Sequence, residues 1–173
     1  IDIFKKISDE REGGMIAFEK IDLKDMFTQL SKQYADFAKI VLPGDMHLPV
    51  IFASRTLLRT VFENIIDYAI MYKKPEQNLA RISISSSFDV DGTRPYVTLS
   101  LRDEGCGMDE QQADQCFYKG KASKTGWGEG LYFAKYVVGL HAGKIRVGKE
   151  YTAPGVGTEI IINLPFVEET LHV

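Results

Sequence analysis

Residues 103–131 read DEGCGMDEQQADQCFYKGKASKTGWGEGL, and this stretch decides how the rest of the chain is read. It opens with Asp103, directly after the alternating run Val97, Leu99, Leu101 that has the period of a half-buried strand. It closes on the glycine-rich turn Gly126-Trp127-Gly128-Glu129-Gly130, followed by Leu131, Ala134, Val137 and Val138 at helical spacing. Between them lies a polar segment with Ser123 and with Lys119, Lys121 and Lys124, and without an apolar period. An ionised carboxylate only accepts hydrogen bonds, so it can take one from an adenine amino group and reject a carbonyl there. Gly105 and Gly107 let the backbone turn sharply and come close to a flat ligand. A glycine-rich turn at a helix N-terminus offers free N–H groups and a positive dipole end to phosphates. Singly, these parts have plainer readings: an Asp-Gly turn, a capped loop, a solvated lysine surface. Together they are the parts of a nucleotide site. The turn is not a P-loop, which needs Lys and Ser or Thr after its last glycine. Nor is it a dinucleotide fingerprint, because no strand immediately precedes it.

Outward from this stretch the pattern is that of a two-layer α+β sandwich. Upstream, Asp22 reads as a helix N-cap with Asp25 in the capping-box position. An apolar stripe follows at Met26, Phe27, Leu30, Tyr34 and Phe37 and ends before Pro43-Gly44. His47–Phe52 is a strand candidate, with Pro49 pointing to an edge position. Ser54 caps a second helix running to about Tyr72, with Leu57, Leu58, Val61, Phe62, Ile65, Ile66, Ala69 and Ile70 on one broad face. Ala80–Phe88 and Tyr96–Leu101 alternate as strands around an Asp91-Gly92 hairpin turn. Downstream, a helix from Leu131 ends near His141-Ala142-Gly143, and strands follow at Lys144–Lys149 and Thr158–Leu164. The domain reading is residues 1–20 as the end of a preceding helical region plus linker, 21–166 as the folded unit, and 167–173 as a tail.

Composition bounds the classes. The chain has 173 residues, 45% apolar and 26% charged, which suits one globular domain able to bury its own core. A net charge of −3 argues against a nucleic-acid backbone as partner. Cys106 and Cys116 form no metal-ligand spacing with His47, His141 and His172, and read as free thiols in a reducing compartment. No apolar run reaches the length of a membrane span, so a cytoplasmic setting is expected. The chain starts at Ile1, which reads as a fragment whose parent is either free or membrane-anchored.

The second helix carries a further polar pair. Asn64 interrupts its apolar region, and its amide oxygen is a hard ligand suited to Mg²⁺. Asp67 lies three residues on, on the neighbouring helix surface. The plainer alternative is that both are satisfied side chains at the edge of a buried face.

Taken in order, these motifs resemble the catalytic and ATP-binding domain of sensor histidine kinases. That domain belongs to the wider superfamily shared with gyrase, heat-shock chaperone and mismatch-repair ATPases. The segment E-N-I-I-D-Y-A (63–69) resembles the family's N box, D-E-G-C-G-M (103–108) its first glycine box, and G-W-G-E-G-L (126–131) its second. Phe117-Tyr118 is similar to the aromatic pair opening the ATP lid, and the run from L-H-A-G-K-I-R-V (140–147) through G-V-G-T-E-I-I-I-N-L-P (155–165) to its closing pattern. Where the family usually has a second N-box Asn this chain has Tyr68; Met71 stands for a common lysine and Glu129 for a common leucine.

The resemblance implies a mixed sheet of about five strands backed by three helices, with ATP held under a lid on the helical side. It implies that Asn64 holds Mg²⁺, that Asp103 reads the adenine amino group, and that Gly105 and Gly107 shape that pocket. Asp67 joins the nucleotide-binding set. Gly126, Gly128, Gly130 and Leu131 form the hinge and phosphate turn, and Lys121 or Lys124 reaches the terminal phosphates. The implied partners are the protein's own dimerisation and phosphoacceptor domain in a homodimeric parent, and a response-regulator receiver domain. None of His47, His141 or His172 sits beside an acid on a helix, so the acceptor histidine is expected upstream of residue 1. Two other readings stay open: a nucleotide-binding pseudokinase, and a hydrolysing ATPase. The second is disfavoured because Thr60 occupies the place of the water-activating Glu.

Overall fold

The structure is a computed structural model that describes residues 16–120 and 130–166. A five-stranded mixed sheet has the order β2 (Ala38–Val41), β4 (Ala80–Asp91), β5 (Arg94–Asp103), β7 (Thr158–Pro165), β6 (Lys144–Val147). Only the β2–β4 pair is parallel; β4–β5, β5–β7 and β6–β7 are antiparallel. A separate two-stranded sheet joins β1 (Glu19–Asp22) to β3 (Val50–Ala53). The helices are α1 (Leu23–Gln33), α2 (Arg55–Met71), the short α3 (Glu110–Gln115) and α4 (Gly130–Leu140).

The core forms where alternation meets helical period. Ile82 and Ile84 of β4, Val97, Leu99 and Leu101 of β5, and Ile160, Ile162 and Leu164 of β7 point to one face and are buried. Against them lie Leu57, Leu58, Val61, Phe62, Ile65 and Ile66 of α2, with Phe133, Ala134, Val137 and Val138 of α4. Phe27 of α1 and Phe62 of α2 meet at 4.6 Å between ring centroids. The opposite face of β4 and β5 is lined by Ser83, Ser85, Ser100 and Arg102, so the architecture is two layers, as the patterning implies.

Caps set the helix ends. The Asp22 side chain accepts from the Asp25 N–H at 3.1 Å, and Ser54 Oγ accepts from the Leu57 N–H at 3.4 Å. Ser54 also ties α2 to α4. Its own N–H donates to His141 Nε2 at 3.0 Å, while His141 Nδ1 donates to the Val137 carbonyl at 2.8 Å. His141 is therefore a buried neutral imidazole with both nitrogens used, and Phe18 covers its ring at 5.1 Å.

Four expectations are corrected. The first helix ends at Gln33, not near Pro43, and Ala38–Val41 is a strand. Phe37 continues the helical spacing in sequence yet is 60% exposed, whereas Ala38 and Ile40 alternate into the core. β1 begins at Glu19, inside the segment read as linker; Ile21 is the one residue of this strand that is buried, which leaves no periodic signal. The strand expected at His47–Phe52 occupies Val50–Ala53, after Pro49. In the β4–β5 hairpin Asp91 pairs with Arg94, so the turn is Gly92-Thr93, with Gly92 at φ +64. α3 was not expected at all. Its signature is a capping box in which Asp109 accepts from the Gln112 N–H and Gln112 accepts from the Asp109 N–H.

Replacing Phe62 by Ala removes one of the two rings at the α1–α2 contact. It should cost about 3–5 kcal/mol in urea unfolding at unchanged pH, with little loss of residual secondary structure below the midpoint.

Candidate nucleotide site

Asp103 is the last residue of β5 and stands on the same face as Val97, Leu99 and Leu101, so its carboxylate enters the helical layer rather than solvent. The register sets it between Ile82 of β4 and Thr158 of β7. Asp103 Oδ1 accepts from the Gly105 N–H at 2.9 Å and from the Thr158 N–H at 3.2 Å. Burial pushes its pKa up from 3.8 to about 6, against the pull of those backbone N–H groups. A carboxylate stored in this state is ionised at neutral pH and under-solvated, so it gains from a further donor.

The glycines around it are there because backbones meet. A Cβ on Gly105 would lie 2.5 Å from the Tyr72 carbonyl oxygen. One on Gly107, at φ +74, would lie 1.9 Å from the Ala153 carbonyl oxygen. Gly157, at φ +149, is in the same position relative to the Asp103 carbonyl oxygen at 1.9 Å. Cys106 N–H donates to the Tyr72 carbonyl at 2.8 Å, Gly155 N–H to the Cys106 carbonyl at 2.7 Å, and Tyr151 Oη to the Asp103 carbonyl at 2.9 Å. The turn at 103–107 is thus clamped between the end of α2 and the loop before β7.

Midway along α2, Asn64 Nδ2 donates to the Gly130 carbonyl at 3.3 Å, where α4 begins. This orients the amide so that Oδ1 has no partner among the described residues. Asn64 and Gly130 come from motifs 66 residues apart and are joined here. Leu131 is buried in the α4 packing face. Asn64, Tyr68 and Tyr72 recur every fourth residue and make one stripe of α2, from the start of α4 to the Asp103 turn.

Asp67 is placed differently. Its carboxylate receives the hydroxyl of Tyr34 at the end of α1, and burial leads in raising its pKa. Glu63 nearby is held by Arg59, whose guanidinium also reaches Gln29 and Gln33 of α1. The Asp67 side of α2 is therefore a helix–helix contact, and the structure does not bring Asp67 to Asp103 or Asn64. Lys121, Lys124, Gly126 and Gly128 lie outside the described residues. Phe117 is half-buried against the core, and Tyr118 is exposed with the Lys135 ammonium 5.8 Å from its ring centre.

Thr158, buried beside Asp103 and bonded to it through its N–H, was not singled out from sequence, although the G-V-G-T motif carried a signal for it. Tyr68, read from sequence only as a departure from the N box, is part-buried, with its ring 4.6 Å from that of Tyr72 between centroids.

Residues 53–168 match the family described as histidine kinase-, DNA gyrase B- and HSP90-like ATPase. The chain belongs to this ATPase family. Sensor protein RprX of Bacteroides fragilis is 27% identical over 92% of the chain and 31% of its own length. Sensor histidine kinase WalK of Bacillus subtilis is 28% identical, over 84% and 23%. The adaptive-response sensory kinase SasA of Gloeothece citriformis is 32% identical over 72% of the chain and 31% of the relative. The chain thus spans 23–31% of the length of these relatives. In structure it is similar to full-length ShkA in complex with AMPPNP, with a TM-score of 0.72 at 20% identity over 89% of this chain and 32% of that one. It is also similar to the mycobacterial sensor histidine kinase MprB, at 0.66 and 24% over 86% and 97%. The fold is that of a histidine kinase ATPase-type catalytic domain.

In this ATPase-family domain, Asp103 has a folded pKa above its unfolded one. Its stabilising contribution is present in full below pH 3.8 and is lost as pH rises through about 6. Asp103→Asn keeps an oxygen acceptor for both N–H groups and carries no charge. It should match wild type at pH 4 and exceed it by up to about 3 kcal/mol at pH 8, read by urea unfolding at both pH values.

Proposed function

We propose that residues 21–166 bind Mg-ATP and transfer its γ-phosphoryl group to a histidine on a separate helical dimerisation domain of the parent protein. The observation that carries this reading is the pairing on one helix stripe of two unlike ends. The Asp103 carboxylate sits at one end, and the Asn64 amide against Gly130 at the other. An adenine amino group donates to Asp103 at the first end. At the second, the start of α4 turns the positive end of its helix dipole to the phosphates.

Mg²⁺ fits this donor set. The Asn64 Nδ2 bond to Gly130 leaves Oδ1 as a neutral hard ligand, and no cluster of three or more His, Cys, Asp or Glu is present among the described residues. One amide oxygen is what a Mg²⁺ held mainly by phosphates and water needs. Bound there, the ion would neutralise phosphate charge. Lys121 and Lys124 are assigned, from the sequence alone, to the terminal phosphate, and Gly126, Gly128, Gly130 and Leu131 to the turn beneath it. Asp67 is left out of the nucleotide contacts because Tyr34 holds it.

The transfer itself is positioning plus charge neutralisation. An imidazole nitrogen of the acceptor forms a bond to the γ-phosphorus, the bond to the bridging oxygen breaks, and ADP leaves. The domain supplies the orientation of ATP; the acceptor supplies the nucleophile. The kinase names carried by the WalK and SasA relatives support this assignment. We place residues 1–20 at the end of the acceptor region and 167–173 as a tail. The parent would be a homodimer that hands the phosphoryl group to a response-regulator receiver domain. The setting is cytoplasmic, in a parent either free or membrane-anchored, and no described helix is long and apolar enough to cross a membrane. A second reading, a nucleotide-binding pseudokinase, is favoured by one observation: Tyr68 supplies a phenol at the middle of the α2 stripe, where the resemblance places a second amide.

Calorimetry decides the binding half. Asp103→Asn should lose most adenine-nucleotide affinity while staying folded, and unchanged affinity would remove the base-reading claim. Asn64→Ala should weaken ATP mainly when Mg²⁺ is present; equal loss with and without metal contradicts the ligand role. Phosphohistidine formation on an added dimerisation domain from a relative decides between kinase and pseudokinase. Tight ATP binding with no transfer to any such acceptor supports the pseudokinase.

A further inference from the structure

The loop between β6 and β7 makes a contact to Asp103 that the proposed chemistry leaves without a task. Tyr151 Oη donates to the Asp103 carbonyl at 2.9 Å. The Glu104 N–H, in the same peptide unit, donates to the Arg81 carbonyl of β4 at 3.2 Å. That unit is thus pinned at both ends. The Asp103 side chain is held separately, because Oδ1 accepts from the Gly105 and Thr158 N–H groups. Oδ2 is left with no hydrogen-bond partner among the described residues. Tyr151 is itself fixed from the open face of the sheet, where the Arg102 guanidinium lies 4.8 Å from its ring centre. Arg102 Nε donates to Glu159 Oε2, which also accepts from Ser100 Oγ at 2.6 Å. Glu159 is buried and sets the course of the loop. Its N–H donates to Thr152 Oγ1 at 2.9 Å, and its carbonyl accepts from the Gly148 N–H at 2.8 Å. A Cβ on Gly148 would lie 1.9 Å from Glu159 Oε1, so the loop leaves β6 pressed against this carboxylate.

We infer that Tyr151 is a positioning residue for base recognition: its hydroxyl holds the Asp103 main chain so that Oδ2 meets the adenine amino group, and the Arg102–Glu159 pair on the far face of the sheet holds Tyr151. This rests on the base-reading role proposed for Asp103. Tyr151 acts through Asp103 and needs no contact with the ligand. Asp103 is the last residue of β5, so the strand ladder ceases to constrain the chain just where the carboxylate must be aimed. Rotation of the peptide unit after Asp103 would carry the Gly105 N–H away from Oδ1 and turn the carboxylate with it. A donor on the carbonyl of that same unit opposes the rotation. Hydrogen bonds weaken steeply with misalignment, so a small turn of Asp103 is felt at the base.

The test compares ADP with purine riboside 5′-diphosphate, which has hydrogen in place of the 6-amino group, by calorimetry without metal. Wild-type protein should prefer ADP about tenfold, as one hydrogen bond to a charged acceptor allows. Tyr151→Phe keeps the ring on Arg102 and removes only the hydroxyl. It should bind ADP about fivefold more weakly and the analogue almost as wild type does, so that the preference closes to about twofold. A merely structural role would weaken both ligands alike and leave the ratio where it was. Thermal unfolding of the variant, within a few degrees of wild type, shows that the fold survives. Arg102→Lys keeps a charge for Glu159 and takes the planar guanidinium off the Tyr151 ring. It carries the same reading if Tyr151→Phe melts below the assay temperature: the preference narrows, and an unchanged ratio overturns the assignment. If wild type prefers ADP and Tyr151→Phe prefers it to the same extent, the Tyr151 assignment alone is overturned. If wild type binds both ligands equally, the base-reading role of Asp103 fails, and the Tyr151 assignment with it.

Discussion

The organising constraint is a carboxylate at the end of an apolar row. β5 sends Val97, Leu99 and Leu101 into the core and then, with no change of face, Asp103. An ionised group there is costly, and the chain offsets the cost with the N–H groups of Gly105 and Thr158 rather than with a cation. Both donors demand close backbone packing. Gly105 can face Asp103 only because it has no side chain against the Tyr72 carbonyl, and Gly157 crosses over the Asp103 carbonyl on the same condition. The glycine motifs on either side of the pocket are therefore consequences of one buried charge.

The second dependency is α2 as a spine. Its apolar face holds the sheet and α4, its Asp67 and Glu63 side faces Tyr34 and Arg59 and locks α1, and its third stripe is the site. His141 adds a fixed point at the far end of α4 through the Ser54 N–H, covered by Phe18 from the segment before β1. Because α4 is tied to α2 at both of its own ends, by Gly130 to Asn64 and by His141 to Ser54, the start of α4 is fixed relative to the Asp103 turn beyond the end of α2. A polyphosphate nucleotide needs that rigidity in its scaffold, since positioning is most of what such a site contributes.

Legibility followed the strength of local periodicity. α2 was readable from cap to end, because Ser54 and a broad apolar face agree over seventeen residues. β4, β5 and β7 were readable because alternation and turn residues coincide. β1, β2 and α3 were not: each is only four to six residues long. At that length a strand or helix is chosen by the partner it pairs with and not by its own propensity. Phe37 shows the mechanism, since its spacing from Tyr34 continues a helix in sequence while the parallel pairing of Ala38–Val41 with β4 claims the next residues.

For the site the division is similar. Asp103, Gly105, Gly107, Asn64 and Gly130 are legible because each motif constrains its own backbone or interrupts its own periodicity. The sequence alone determined that a carboxylate follows a buried strand row, that glycines flank it, and that an amide breaks the face of α2. Only the tertiary structure decided which polar groups meet. It turned Asp67 to Tyr34 and brought the Thr158 N–H to Asp103 Oδ1, 55 residues away in the chain. The reason is physical. A helix places residues 64, 67 and 68 on neighbouring surfaces, separated by a fraction of a turn. Which of those surfaces faces the pocket is set by how α2 rolls against the sheet and α1, and no local sequence pattern encodes that roll.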